Sequence, residues 1–405
     1  MPHLFNQLQV MLRANLLSVP RRLAISLSMT LSVALVVCVL TGFLAMAAGF
    51  ERTLEATGSP LVAVILGGGS TQEAGSDIPP DALRRVMALS GEIGALRDAN
   101  GNLRAAREIV VSTEVTQATD RPGMPASTTS LALRGMDPAG ATLRDGITLA
   151  KGRMFTPGSH EIVVGAGLAQ QVPGLDPGST LRLGALDWIV VGHFTANGGA
   201  FESEIWADLD AVRAGFDRQG MVQSLRLRLA APTRLATLQT ALATLGTTPL
   251  VAVSEAHLYA GQSGRTADLI RLFGWPLALL MAIGATAGAL NTMMSSVADR
   301  RVEIATLRAL GFSRSAAFCA TWIEAMLLAL LGVGLGVALS WLIFNGWQAS
   351  TLGANNARMG FTLMVSAPVM LTAGALGLAT GLLGGALPAL AATRVPLQAA
   401  LRAGG

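Results

Sequence analysis

Few residues in this 405-residue chain are spaced for bond-making chemistry. The four histidines, His3, His160, His193 and His257, are scattered, with no His-Glu-x-x-His and no Cys-His cluster, so a zinc site is not expected. Gly261-Gln262-Ser263-Gly264 is not a Gly-x-Ser-x-Gly elbow, and no Ser-x-x-Lys occurs. The single lysine, Lys151, is followed by Gly152-Arg153. A phosphate-binding loop needs Gly-Lys-Ser/Thr, so this chain cannot contain one. Catalytic, cofactor-binding and metal-binding residues are all expected to be none. What remains is a carboxylate in an unusual medium: Glu324 is the only ionisable residue in four long apolar stretches, and the polar Asn291 lies in one of them.

Those stretches are Leu23–Phe50, Leu272–Ala298, Phe318–Phe344 and Phe361–Ala392. Each exceeds the ~20 apolar residues that an α-helix needs to cross a bilayer core of ~30 Å. Half of the residues are hydrophobic and only 13% are charged, about half the charge of an ordinary soluble domain. The fold class expected is a membrane protein with four transmembrane α-helices, one plus three. A large extracytoplasmic α+β domain lies between the first and second. The expected segments are 1–22 cytoplasmic, 23–50 span one, 51–271 outer domain, 272–298 span two and 299–317 cytoplasmic loop. Span three follows at 318–344, a short outer loop at 345–360, span four at 361–392 and a cytoplasmic tail at 393–405. The first span, 28 residues long, exceeds the ~7–15 residues of a signal-peptide core, so it reads as an uncleaved helix.

The net charge of +4 is unevenly placed. Glu51–Arg271 holds 19 basic against 22 acidic residues, and the rest holds 10 arginines against Asp299, Glu303 and Glu324. The basicity belongs to span flanks, so no nucleic-acid patch is implied. Arg13, Arg21, Arg22, Arg300, Arg301, Arg308, Arg314, Arg394 and Arg402 fall on one side, with only Arg358 opposite. The positive-inside rule makes that side cytoplasmic, with both termini inside and the large domain outside.

Within the outer domain two strand–helix–strand passages appear, predicting α/β lobes at 51–126 and 210–265. In the second, Leu225-Arg226-Leu227-Arg228-Leu229 alternates strictly, and Leu235, Leu238, Leu242 and Leu245 then repeat at helical spacing. Between the lobes, 127–209 is strand-rich and broken by Gly and Pro, predicting an inserted β-rich subdomain. In the spans, Gly284 and Gly288, Gly332 and Gly336, and Gly377, Gly381 and Gly385 fall four apart. Lipid supplies no hydrophobic drive between helices, so such small-residue faces suit close packing, within the chain or with a second copy.

The loop between spans two and three predicts a short amphipathic helix. Val297, Ile304, Leu307 and Leu310 repeat at helical spacing, with Arg300, Arg301, Glu303 and Arg308 on other faces. Gly311 is placed as its C-terminal cap, and Ser313 as the N-cap of the next helix. Glu324 lies ~9 Å inside span three by helical rise. That depth favours a structural acceptor for hydroxyls or a loop-helix arginine over a proton relay.

Gly-Ala-Leu-Asn-Thr-Met (288–293), Arg300-Arg301 with Glu303, Leu-Arg-Ala-Leu-Gly-Phe (307–312) and Ile-Glu-Ala (323–325) resemble the signature of FtsX/MacB-type ABC transporter permeases. Arg-Gly-Met-Asp-Pro (134–138), Gly-Arg-Met-Phe (152–155), Glu-Ile-Val-Val-Gly (161–165) and Ile-Val-Val-Gly (189–192) resemble their MacB-like periplasmic core domain. The resemblance implies a stand-alone permease in a bacterial inner membrane, working as a homodimer or as a heterodimer with a related permease. Two copies of a separate ABC ATPase would carry ATP and Mg2+, with no cofactor in this chain. Arg300, Arg301, Glu303, Ile304, Leu307, Arg308 and Gly311 would then form the ATPase-coupling helix. ATP hydrolysis would drive motions of the outer domain, mechanotransmission, to export or extract a substrate, with a membrane-fusion-type adaptor as a possible periplasmic partner. A non-transporting regulator of an envelope enzyme and a lipoprotein-release permease of the LolC/LolE type are the alternatives.

Overall fold

A computed structural model describes residues 7, 9–13, 23–89, 92–117, 127–246, 249–352 and 357–394. Arg21, Arg22 and Arg402 of the expected basic flanks lie outside the described residues. In chain order, helix α1 (Leu23–Glu55) leads to strand β1 (Val62–Gly67), helix α2 (Pro80–Met87) and the long strands β2 (Ala105–Gln117) and β3 (Ser127–Met136). A short helix α3 (Gly140–Leu143) precedes β4 (Thr148–Gly152), β5 (Glu161–Gly165) and α4 (Ala166–Gln171). Then come β6 (Thr180–Leu183), β7 (Leu186–Thr195), β8 (Glu204–Asp208) and α5 (Leu209–Gly215). Strand β9 (Ser224–Arg228), helix α6 (Leu235–Ala243) and strand β10 (Leu250–Ser254) follow. The last third is α7 (Glu255–Asp299), α8 (Arg301–Ala309), α9 (Arg314–Phe344), the strands β11 (Gln348–Leu352) and β12 (Arg358–Thr362), and α10 (Ala367–Thr393).

The chain forms two compact units. The sheet-bearing unit comprises Gly49–Ala267 and Gln348–Thr362. Its main sheet has ten strands in the order β10-β1-β9-β2-β3-β8-β5-β7-β4, with β6 beside β7. The pairs β3–β8 and β5–β7 are parallel and the other pairs antiparallel, so the sheet is mixed. Strand β1, Val-Ala-Val-Ile-Leu-Gly, is apolar on both faces and sits between β10 and β9 with all six residues buried. Helix α2 starts at a proline in its first turn, where a missing N–H costs nothing, and buries Ala82 and Val86.

The two expected lobes, the stretch between them and most of the outer loop all fall in this unit. The two expected lobes share one core: Ala63 and Ile65 of β1, Val86 of α2, Leu225 and Leu227 of β9, Leu238 of α6 and Ala252 of β10 pack together. The expected inserted β-rich subdomain continues the same sheet, because β3 pairs with both β2 and β8 and carries the ladder straight through. A second core around Trp188, Val190, Ile205 and Leu133 lies on that continuation. The stretch expected as a short loop at 345–360 contains the β11–β12 hairpin, which belongs to this unit. Gly360 N–H donates to Ser203 Oγ at 2.9 Å, and Phe361 meets Phe50 edge to face at 5.6 Å.

Among the described residues four helices, lying wholly or mostly in the other unit, are long and apolar enough to cross a membrane. Helix α7 starts at Glu255, well before the apolar run at Leu272, and α10 starts at Ala367 rather than Phe361. Hydropathy marks where a helix meets lipid, not where its hydrogen bonding begins. Val33 and Val37 of α1, Ala289 and Met293 of α7, Ala325 and Ala329 of α9, and Ala373 of α10 form its core.

Candidate functional site: the loop helix and a buried ionic cluster

Helix α8 has one face turned in and one turned out. Ile304 and Ala305 are buried with Val297 and Ala392. Leu307 packs with Phe312 against Ala316, Ala317 and Ala320. Arg301, Val302, Glu303, Thr306 and Leu310 are exposed, Leu310 at 73%. The expected apolar stripe therefore loses one member: Leu310 projects outward. Its exit is built as the sequence implies. Gly311 adopts φ +98°, a conformation costly for any residue with a Cβ. Phe312 N–H then reaches back to Leu307 O at 3.2 Å, and Ser313 Oγ accepts from Ala316 N–H at 3.1 Å. Gln7 bridges the same corner, accepting from Ser313 N–H at 3.1 Å and donating to Gly311 O at 3.4 Å.

The arginines divide by role. Arg300, only 5% exposed, donates through Nη1 to Glu324 Oε2 at 2.9 Å and lies 3.6 Å from Glu303. Arg308 Nη1 donates to Thr393 O at 3.1 Å. These two fasten α8 to α9 and to the end of α10, while Arg301 and Glu303 face outward. Asn291 stands on the exposed face of α7.

The glycines divide similarly. A side chain at Gly332 would strike Thr30 O at 2.7 Å, and one at Gly336 would strike Ala34 O at 2.7 Å, so these two seat α1 on α9. Gly377 meets Val37 and Val333, Gly381 meets Ala329, and Gly385 meets Ala325. A side chain added at Gly284 or Gly288 would meet nothing within 4 Å among the described residues. With Asn291 they lie at i, i+4 and i+7, a small-residue stripe on the outer face of α7.

Sequence reasoning missed a second constellation, in the sheet-bearing unit. Four carboxylates, Glu73, Glu108, Glu204 and Glu255, are buried with three guanidiniums, Arg134, Arg144 and Arg226. Arg134 grips Glu204 with two bonds of 2.7 Å and reaches Glu108 at 2.9 Å and Glu73 at 3.1 Å. Arg226 donates to Glu255 and to Glu73, both at 2.8 Å, and to Glu108. Arg144 donates to Glu108 at 2.7 Å and its guanidinium carbon lies 4.8 Å from the centre of the Phe201 ring. Burial alone would raise the Glu73 carboxyl, but Arg134 and Arg226 hold it well below its usual range. Glu108 is also lowered, against burial, by Arg144, Arg226 and Arg134. Burial pushes Tyr259 upward, so its hydroxyl stays protonated beside Arg134 and Glu73. Each of the four carboxylates faces at least one guanidinium, so the cluster is a lock between strands β2, β3, β8 and β9 and the first turn of α7. Its one sequence signal was Arg226 and Arg228 alternating with leucines.

Residues 25–245, more than half of the chain, match the family model for the MacB-like periplasmic core domain. Residues 276–397 match the model for the FtsX-like permease C-terminal region. The chain belongs to the MacB/FtsX family of ABC transporter permeases, as a multi-pass membrane protein with four transmembrane helices and an α+β domain between the first and second. Among solved structures it is similar to the extracellular domain of the noncanonic ABC-type transporter YknZ from Gram-positive bacteria. There the identity is 11% and the TM-score 0.36, with 48% of this chain and 100% of that chain covered. It is also similar to the periplasmic region of MacB from Actinobacillus actinomycetemcomitans, at 10% identity and TM-score 0.37, covering 52% of this chain and 95% of that one. No curated protein matches it.

Proposed function

We propose that this chain is the permease subunit of a MacB/FtsX-type ABC transporter whose ATPase is a separate cytoplasmic polypeptide. Two ATPase copies, carrying ATP and Mg2+, push on α8, and the movement reaches the sheet-bearing unit to drive export or extraction of a substrate. The observation that carries this reading is the division of α8 into a fastened face and a free one. Arg300, Ile304 and Arg308 fix it to the spans, while Arg301, Val302, Glu303 and Leu310 are left for a partner. A loop that served only to obey the positive-inside rule would need neither face. Catalysis then resides in the partner, and no cofactor is held by this chain.

The arginine distribution supports a bacterial inner-membrane protein with both termini cytoplasmic and the sheet-bearing unit periplasmic. The stripe of Gly284, Gly288 and Asn291 on α7, open in the single chain, supports contact with a second permease copy, identical or related. A periplasmic adaptor of the membrane-fusion type fits the same scheme.

The test is affinity purification of the detergent-solubilised protein with its partners. An ABC ATPase should co-purify, and Arg301→Glu and Leu310→Asp should each cut its stimulated ATPase rate about tenfold while leaving the fold intact. Absence of any ATPase from the purified assembly would sink the proposal.

A further inference from the structure

The end of the sheet at β1 and β10 is covered unequally. On one face α2 and α6 close over Ala63, Ile65 and Ala252. The opposite face carries Val64, Leu66, Val251 and Val253, since side chains alternate across a strand. There a small cluster forms, Leu258 of α7 against Val64, Leu66 and Val253. Beside it lies a cavity of ≈ 490 Å³, within the ~300–1,000 Å³ of small-ligand sites. Phe50 and Leu54 of α1 form another wall, and Leu352 and Met359 of the β11–β12 hairpin a third. Val251 is 41% and Leu352 61% exposed, so apolar surface is left uncovered in the cavity wall.

We propose that this cavity binds the alkyl chain of a single-tailed amphiphile taken from the bilayer. Among the described residues its lining holds no Asp, Glu, Lys or Arg, which disfavours a strongly charged peptide, and His257 and Thr266 join the polar part of the lining. Its apolar lining is leucine, valine and methionine plus one aromatic ring, Phe50. That ring is already engaged edge to face by Phe361, so no stacking platform is offered to a planar aromatic compound. Polar lining groups come chiefly from consecutive residues of one loop, Ser70, Thr71 and Gln72, which gives a small head group hydroxyls and an amide to bond. The bilayer is the source because Phe50 itself closes the apolar run that begins at Leu23. The site requires no ATPase and stands or falls apart from the coupling scheme above.

The experiment places the full-length protein, without ATPase, in lipid nanodiscs containing palmitic acid with a diazirine on its chain. After irradiation, labelled peptides are mapped by mass spectrometry. Labelling should fall on the segments containing Leu66, Val251 and Met359, and excess unlabelled palmitate should suppress it. Val251→Trp, which fills the cavity, and Leu352→Glu, which charges it, should each lower labelling about fivefold or more, with an unchanged melting temperature showing that the fold is kept. Both positions are exposed enough for these substitutions to be tolerated. Three results would overturn the assignment: undiminished labelling in both folded variants, labelling confined to 272–392, or protection of the cavity by a second copy or an apolar peptide but not by palmitate.

Discussion

Arg300 and Glu324 meet at 2.9 Å with side chains 6% and 7% exposed, and neither is affordable alone in that setting. Glu324→Gln keeps the shape and removes the charge that Arg300 faces at 2.9 Å, while the 3.6 Å contact from Arg300 to Glu303 stays. We expect a lower melting temperature and weakened ATPase coupling, and partial recovery when Arg300→Met is added. A pH-dependent loss of transport with coupling intact would instead make Glu324 a proton carrier. Arg226→Met should cost about 3–5 kcal/mol, because Glu73, Glu108 and Glu255 all lose a shared guanidinium. Thermal unfolding of the intact protein measures it, and a shift within error would mean the cluster bears no load. Glu324 was legible in the sequence because a lone charge in an apolar run has to find a partner. Arg226 was not: alternating Leu and Arg specifies a strand with one apolar face, but not that the polar face is buried too.

Among the elements, α1 and α9 approach so closely that backbone meets backbone at Gly332 and Gly336. Gly336→Leu would place its Cβ 2.7 Å from the Ala34 carbonyl, and no rotamer change relieves a backbone clash. The variant should fail to accumulate as a folded protein, measured by the monodisperse fraction after detergent extraction. Gly284→Leu projects into open space and should extract normally. If α7 packs on a second copy through that stripe, the same variant should lose most cysteine cross-linking between α7 helices, and normal cross-linking would place the partner elsewhere. Spacing alone could not separate these cases, since all seven glycines look alike until neighbouring helices are assigned. Hydropathy located the four spans but could not show where α7 begins, because the turns from Glu255 onward are helical without being apolar. The β11–β12 hairpin escaped notice for a related reason: Gln348-Ala-Ser-Thr-Leu has little apolar alternation and is stabilised by side-chain contacts such as Gln348 Nε2 to Gln170 Oε1 at 3.1 Å.

On the scale of the whole molecule, the sheet-bearing unit has no cysteine and holds ten strands together by two apolar cores with an ionic cluster buried in its sheet. The sequence shows the two strand–helix–strand passages but not that they meet in one core, because strand order is set by pairing partners far apart in the chain, as when β1 sits between β9 and β10. The cluster makes stability depend on pH in a definite direction. In the folded state the Glu73 and Glu108 carboxyls are held below their ordinary value of 4.5 by arginines, so they stay ionised there. The unfolded chain takes up those protons first as pH falls. The stabilisation is therefore complete at pH well above 4.5 and is lost progressively as pH drops through 4.5 toward the lowered folded values. Glu161 is also lowered, to about 2, by Arg153, but it lies near the surface and adds little. We expect a melting temperature nearly flat from pH 8 to 6 and falling steeply below about 4.5. Adding 0.5 M NaCl should not move that acid limb, because buried pairs are poorly screened. The double variant Glu73→Gln, Glu108→Gln should start from lower stability at neutral pH and show a shallower acid limb. A wild-type melting temperature that stays level down to pH 3 would mean that the folded and unfolded chains bind the same number of protons, and the lowered Glu73 and Glu108 carboxyls would be refuted.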